Sequence, residues 1–136
     1  FGDDAASPDW AQNRNDLDGS NGFTIKADPA DSGARMQAVS DAGDVNNDGI
    51  DDLLVSTRGD AYVVYGSDTG FEAELELALM TAAEGFKIDG MNGEVDVSAA
   101  GDINDDGIAD ILVADWTSNN GDSEAYVIYG DDLNLI

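Results

Sequence analysis

Asp44-Val45-Asn46-Asn47-Asp48-Gly49-Ile50-Asp51-Asp52 returns 58 residues later as Asp102-Ile103-Asn104-Asp105-Asp106-Gly107-Ile108-Ala109-Asp110. Both nonapeptides have the form D-x-N-x-D-G-x-x-D. Their flanks return with them. Val39-Ser40-Asp41-Ala42-Gly43 answers Val97-Ser98-Ala99-Ala100-Gly101, and Leu53-Leu54-Val55 answers Ile111-Leu112-Val113. Further on, Ala61-Tyr62-Val63-Val64-Tyr65-Gly66 matches Ala125-Tyr126-Val127-Ile128-Tyr129-Gly130 at an offset of 64, the difference being a polar insertion within Trp116 to Glu124. Upstream, Gly22-Phe23-Thr24-Ile25 matches Gly85-Phe86-Lys87-Ile88 at an offset of 63. A duplication of this length decides the architecture before any local propensity is consulted.

Each copy predicts a small antiparallel sheet. Leu53–Ser56 and Tyr62–Tyr65 are β-branched and aromatic runs separated by Thr57-Arg58-Gly59-Asp60, the signature of a hairpin. Ile111–Ala114 and Tyr126–Tyr129 repeat it with a longer tip. Gln37–Ala42 and Val95–Ala100 supply a strand before each acidic loop, and Phe23–Lys26 and Phe86–Asp89 supply another. Roughly four short strands per repeat is the spacing of sandwiches, barrels and propellers. Phe71–Glu84 is rich in helix formers but also alternates at Glu74-Leu75-Glu76-Leu77. Because its counterpart Trp10–Asn21 is polar and turn-rich, extended chain plus a turn is expected there, with a short helix as the alternative.

The acidic loops have the chemistry of calcium sites. A hard cation takes six to eight oxygens, and alternate residues of a tight loop aim their side chains at one point. Positions one, three and five are Asp44, Asn46 and Asp48 in the first loop, and Asp102, Asn104 and Asp106 in the second. Gly49 and Gly107 allow the sharp turn. Position seven offers the backbone carbonyls of Ile50 and Ile108, and Asp52 and Asp110 at position nine complete the shell. Two Ca2+ ions per chain are therefore expected, with Mg2+ a poorer fit because of its strict octahedral demand. One such loop would serve equally well as a solvated turn; two in register favour the cation, since clustered carboxylates repel without one.

The flanks exclude the helical calcium modules. An EF-hand needs a helix on each side and a Glu at loop position twelve, where this chain has Val55 and Val113 in β-type runs. A dockerin module also needs a following helix, and thrombospondin-type calcium repeats usually carry Cys, of which there is none. The run from Val39 to Val55, followed by Ala61-Tyr62-Val63-Val64-Tyr65-Gly66, instead resembles the FG-GAP repeat of integrin α-chain β-propellers, in its bacterial form. The second copy is similarly close, and Leu17-Asp18-Gly19-Ser20-Asn21-Gly22-Phe23-Thr24-Ile25 resembles the lead-in of bacterial members. The resemblance implies an all-β chain of two four-stranded antiparallel blades, each holding Ca2+ in the loop between two strands. The Gly-Ala-Pro element of the family is replaced by Ser56-Thr57-Arg58 and Ala114-Asp115-Trp116.

On this reading residues 1–22 are the tail of a preceding repeat plus a lead-in, and residues 23–66 are the first repeat. Residues 67–85 connect, 86–130 are the second repeat, and 131–136 begin a further unit. Phe1-Gly2-Asp3-Asp4 resembles Tyr65-Gly66-Ser67-Asp68 and Tyr129-Gly130-Asp131-Asp132, so a longer array is expected. Two blades cannot close a ring and each buries its faces only against neighbours, which points to neighbouring repeats or copies of the same chain as partners. A head-to-tail interface that does not close gives a filament.

Composition bounds the function. Five Lys+Arg against 30 Asp+Glu give a net charge of −25, which argues against a nucleic-acid partner. No apolar run is long enough to insert across a membrane. Without His or Cys, histidine-based triads, thiol nucleophiles and His-ligated zinc are excluded. The expected function is a calcium-binding structural or adhesive module of an extracellular or cell-surface bacterial protein with a protein or glycan ligand. An enzyme, the alternative, would have to work with carboxylates already assigned to calcium. Arg58-Gly59-Asp60 is expected to be a hairpin turn rather than an integrin ligand, and Trp10 and Trp116 are expected to pack between blades.

Overall fold

In the computed structural model the described residues are 13–28, 35–116 and 121–131. The end motif Phe1-Gly2-Asp3-Asp4, Trp10 and the last five residues lie outside them. The described chain is all-β, with strands β1 (Thr24–Lys26), β2 (Met36–Gly43), β3 (Asp52–Thr57), β4 (Asp60–Val64), β5 (Glu74–Glu76), β6 (Gly85–Ile88), β7 (Val95–Gly101), β8 (Asp110–Asp115) and β9 (Glu124–Ile128). Two single 3-10 turns, Arg14–Asp16 and Leu77–Leu79, are its helical elements. The ambiguous Phe71–Glu84 stretch is thus extended chain and turn: β5, then the Leu77–Leu79 turn, then Thr81 to Glu84 closed by the Glu84 carboxylate on the Thr81 N–H at 2.9 Å.

Three sheets form, ordered β2-β3-β4-β6, β7-β8-β9 and β1-β5. The first two are antiparallel throughout, while β1 and β5 pair in parallel. The sheets do not follow the phase of the sequence repeat. Gly85–Ile88, which the repeat places at the head of the second copy, is the fourth strand of the first sheet, with Val63 opposite Phe86 and Tyr62 opposite Lys87. Its homologue Thr24–Lys26 lies beside Glu74–Glu76 instead. The second sheet has three strands among the described residues, not the expected four.

Alternation along the strands sorts side chains between two cores. Leu54, Ala61, Val63 and Tyr65 meet Val95, Val97, Ile111 and Val113 of the second sheet. From the opposite face of the first sheet, Val55, Tyr62 and Val64 meet Leu75 and Leu77, with Phe23, Ile25, Phe71 and Met80 packed around them. Phe23 stacks on Phe71 with ring centroids 4.1 Å apart. Being covered on both sides explains why β3 and β4 read as nearly continuous apolar runs. In the seam the buried Ser56 hydroxyl donates to the Val95 carbonyl at 2.6 Å.

The Arg-Gly-Asp tripeptide is a tight hairpin turn. Thr57 pairs with Asp60, leaving Arg58 and Gly59 as the turn, with Gly59 at φ +87° and its N–H donating to the Gly93 carbonyl at 2.8 Å. Asp60 belongs to β4 and faces Lys87 at 3.5 Å. Trp116, expected to pack between sheets, is exposed in this chain, because no neighbour covers the outer side of the second sheet among the described residues.

Candidate metal centres

Each acidic loop joins two neighbouring strands, β2 to β3 and β7 to β8, and both enter through a glycine in the left-handed region, Gly43 at φ +70° and Gly101 at φ +72°. A shift in strand register at these glycines starts the loop. The middle of each loop turns on a second left-handed pair, Asn47 with Gly49 and Asp105 with Gly107. Asn and Asp tolerate that conformation better than other residues bearing a Cβ. The spacing of the motif thus dictates a compact loop with its backbone N–H groups turned inward.

The two loops are held alike. In the first, the Asp44 carboxylate accepts the N–H groups of Asp48 at 3.0 Å and Gly49 at 2.8 Å, and Asp48 Oδ1 accepts the Ile50 N–H at 2.9 Å. In the second, Asp102 accepts from Asp106 at 3.0 Å and Gly107 at 2.7 Å, and Asp106 accepts from Ile108 at 2.9 Å. The position-three amides lie against the position-five carboxylates: Asn46 Nδ2 donates to Asp48 Oδ2, and Asn104 Nδ2 to Asp106 Oδ2, each at 3.2 Å. Positions one, three and five are therefore brought together in both loops.

Position nine has a role that the ligand pattern did not reveal. Asp52 and Asp110 are buried, and each clasps the two ends of its loop region. Asp52 accepts the Val45 N–H and the Gly66 N–H, both at 2.8 Å; Asp110 accepts the Ile103 N–H at 2.7 Å and the Gly130 N–H at 2.9 Å. The signal was present in the sequence as the glycine closing each Tyr-Gly pair. A Cβ at Gly66 would collide with the Asp51 carbonyl, and one at Gly130 with the Ala109 carbonyl. Among the described residues no group of three His, Cys, Asp or Glu side chains is gathered in metal-binding fashion, in keeping with carboxylates turned toward the loop's own N–H groups.

The donor set nonetheless fits a hard cation. Every side chain at positions one, three, five and nine carries oxygen, and an oxygen that accepts one N–H keeps a second lone pair. One atom stands out: Asn46 Oδ1 is buried and accepts no hydrogen bond, although leaving such a group unpaired is costly. Rotating that amide by half a turn presents the oxygen to the side of Asp48, where a cation would take it as a ligand. Ile50 and Ile108 sit at the end of each inner turn, their N–H groups held by position five.

Electrostatics differ between the loops. Burial pushes the Asp52 carboxyl above its usual range, and the charges of Asp48 and Asp44 add to this, against the N–H groups of Gly66 and Val45. The exposed Asp102 carboxyl is held below the usual range, chiefly by the Gly107 N–H. The sign follows for metal-stripped protein. A carboxyl raised in the folded state favours folding while protonated, and that contribution fades as pH rises from the ordinary carboxylate value through the raised one. Asp102 titrates below this window and opposes it only at lower pH. Metal-stripped protein should accordingly lose stability as pH rises from the ordinary carboxylate value toward neutrality, and saturating calcium should abolish the trend; a melting temperature that rises over that range would contradict the assignment to Asp52.

The first loop is also roofed by the second unit. The Asp44 carbonyl accepts the Ala109 N–H at 3.4 Å, and the Val45 carbonyl accepts the Asp131 N–H at 2.9 Å. The two acidic loops are thereby hydrogen-bonded to one another directly, Asp44 of the first to Ala109 of the second. No protein-family model, characterised protein sequence or solved structure matches this chain.

Proposed function

We propose that the chain is a calcium-binding structural and adhesive module, built of FG-GAP-type blades, that belongs to an extracellular or cell-surface protein. The observation that carries the calcium reading is the duplicated oxygen-lined loop, in which the Asn46 amide nitrogen lies against the Asp48 carboxylate while its buried oxygen lacks a hydrogen-bond partner. Asp44, Asn46, Asp48, the Ile50 carbonyl and Asp52 would hold one ion, and Asp102, Asn104, Asp106, the Ile108 carbonyl and Asp110 the other. Their job is structural. An ion in each loop offsets the mutual repulsion of its carboxylates and stiffens the strand connection that the seam packs upon. Sites of this charge suit the calcium level outside cells, where modest affinity suffices.

The face-to-face sheets support a blade-like stack, in which each sheet covers the next. On this reading the module works by presenting surface rather than by catalysis, with a protein or glycan as its ligand. Tyr65 is a built-in reporter for the test, since burial together with the charges of Asp52 and Asp48 raises its hydroxyl above the usual range. Titrating metal-stripped protein with calcium should change tyrosine emission and saturate, while magnesium at equal concentration should do far less. Equal responses to the two ions, or none to calcium, would remove the calcium reading.

A further inference from the structure

In a duplicated chain the residues that the frame requires recur, and those that do not recur call for another account. Arg14 and Lys26 do not recur. Phe71–Glu84, the counterpart of the stretch that holds Arg14, contains no Lys or Arg, and at the offset of 63 Lys26 is answered by Asp89. The fold nevertheless brings these two cations together. Both line a surface cleft of about 580 Å3, walled by the Arg14–Asp16 turn, β1 and the approach to β5. Two of the chain's five Lys and Arg residues thus share one cleft, in a molecule of net charge −25. The cleft is of the size that small ligands occupy.

The charges lining it sort into a closed pair and two open ends. Lys26 Nζ meets Glu74 Oε2 at 2.7 Å, and hydrogen bonding and charge from Glu74 hold the Lys26 ammonium above its usual range. Each therefore satisfies the other. Arg14 and Glu72 line the same cleft, and among the described residues neither side chain makes an ion pair or a hydrogen bond. Both residues are exposed. With two cations and two carboxylates, the cleft is electrically neutral in an otherwise strongly acidic chain. Leu17 and Ala73 add apolar surface to its wall.

A guanidinium and a carboxylate that share a cleft without meeting are complemented by one molecule that carries both charges. The planar guanidinium fork takes a carboxylate through two parallel N–H bonds, and a carboxylate takes an ammonium through charge-assisted ones. A purely anionic ligand would approach against the field of 30 acids. A purely cationic ligand would have no use for Arg14 and would find exposed carboxylates all over the chain. A zwitterion is neutral overall and meets neither objection. We infer that this cleft binds a small zwitterion of the α-amino acid class, with its carboxylate on Arg14, its ammonium on Glu72 and an aliphatic side chain against Leu17 and Ala73. Lys26 is a positioning residue: by occupying Glu74 it leaves Glu72 as the carboxylate open to the ammonium. The site lies apart from the acidic loops and depends on neither the calcium nor the adhesive reading.

Isothermal titration of the full chain with leucine, the free amino acid, tests this. Saturable binding is expected, and its affinity should be modest because both charged ends of the cleft face water. The des-amino acid of leucine and its decarboxylated amine each carry one of the two charges, and each should bind about tenfold more weakly. Arg14→Gln and Glu72→Gln remove the two open ends in turn and should each weaken leucine binding by about tenfold. Arg58→Gln, on the hairpin tip outside the cleft, should leave it unchanged. Circular dichroism matched to the parent chain confirms that each variant is folded. Titrations in chelator and in calcium should agree, which separates this site from the acidic loops whatever those loops bind. No saturable binding of leucine, equal binding of all three compounds, or full affinity in both cleft variants would overturn the inference.

Discussion

Asp52→Ala should destabilise the fold by about 2–5 kcal/mol, since it strands a buried N–H and a part-buried one, at roughly 1–3 kcal/mol for the first and less for the second. Those groups belong to Val45, at the start of the first loop, and Gly66, at the end of β4. A loss of this size is a large part of the total stability of an ordinary domain. Asp110 makes the same pair of bonds, to Ile103 and Gly130, but Ile103 is exposed where Val45 is buried. Water can therefore replace part of what Asp110 supplies, and Asp110→Ala should cost less. Denaturant unfolding of both variants in chelator isolates the hydrogen bonds from any metal. Equal and small losses would show that the ninth position is not the clasp described above.

Calcium should have the second large effect. With two sites each saturated at about a hundredfold excess over Kd, binding adds roughly 2.7 kcal/mol per site, or about 5 kcal/mol in all. For a chain of this length that corresponds to a rise of roughly 10–20 °C in melting temperature. Affinities in the range of extracellular calcium modules would place the required concentration at roughly 10–100 mM. Scans in chelator and in calcium measure the difference directly. Coincident melts would mean that the loops are held by their own hydrogen bonds alone.

Much of this was legible in the sequence, for identifiable reasons. Strand positions followed from β-branched runs at Leu53–Ser56 and Ile111–Ala114, and the loops from a motif whose glycines have one conformational use. Three things were not legible. The fourth strand of the first sheet is Gly85–Ile88 and not Thr24–Lys26, because a repeat read from sequence has no marked starting point and either phase fits the pattern. The clasp by Asp52 was hidden because a carboxylate that bonds backbone and one that binds a cation look the same in a motif. Trp116 was expected in a seam, but seam burial depends on what lies beside the second sheet, which lies outside the pattern of its strands. Val39 and Val97 make the same point: identical residues at homologous positions, one bare and one buried, differ only in their neighbours.

Each acidic loop is proposed to hold one calcium ion. Equilibrium dialysis against calcium, on the parent chain and on Asp48→Ala and Asp106→Ala, tests it most directly. Two ions are expected per parent chain, one for each single variant and none for the double variant. A parent chain that binds no calcium, or single variants that retain both ions, would contradict it.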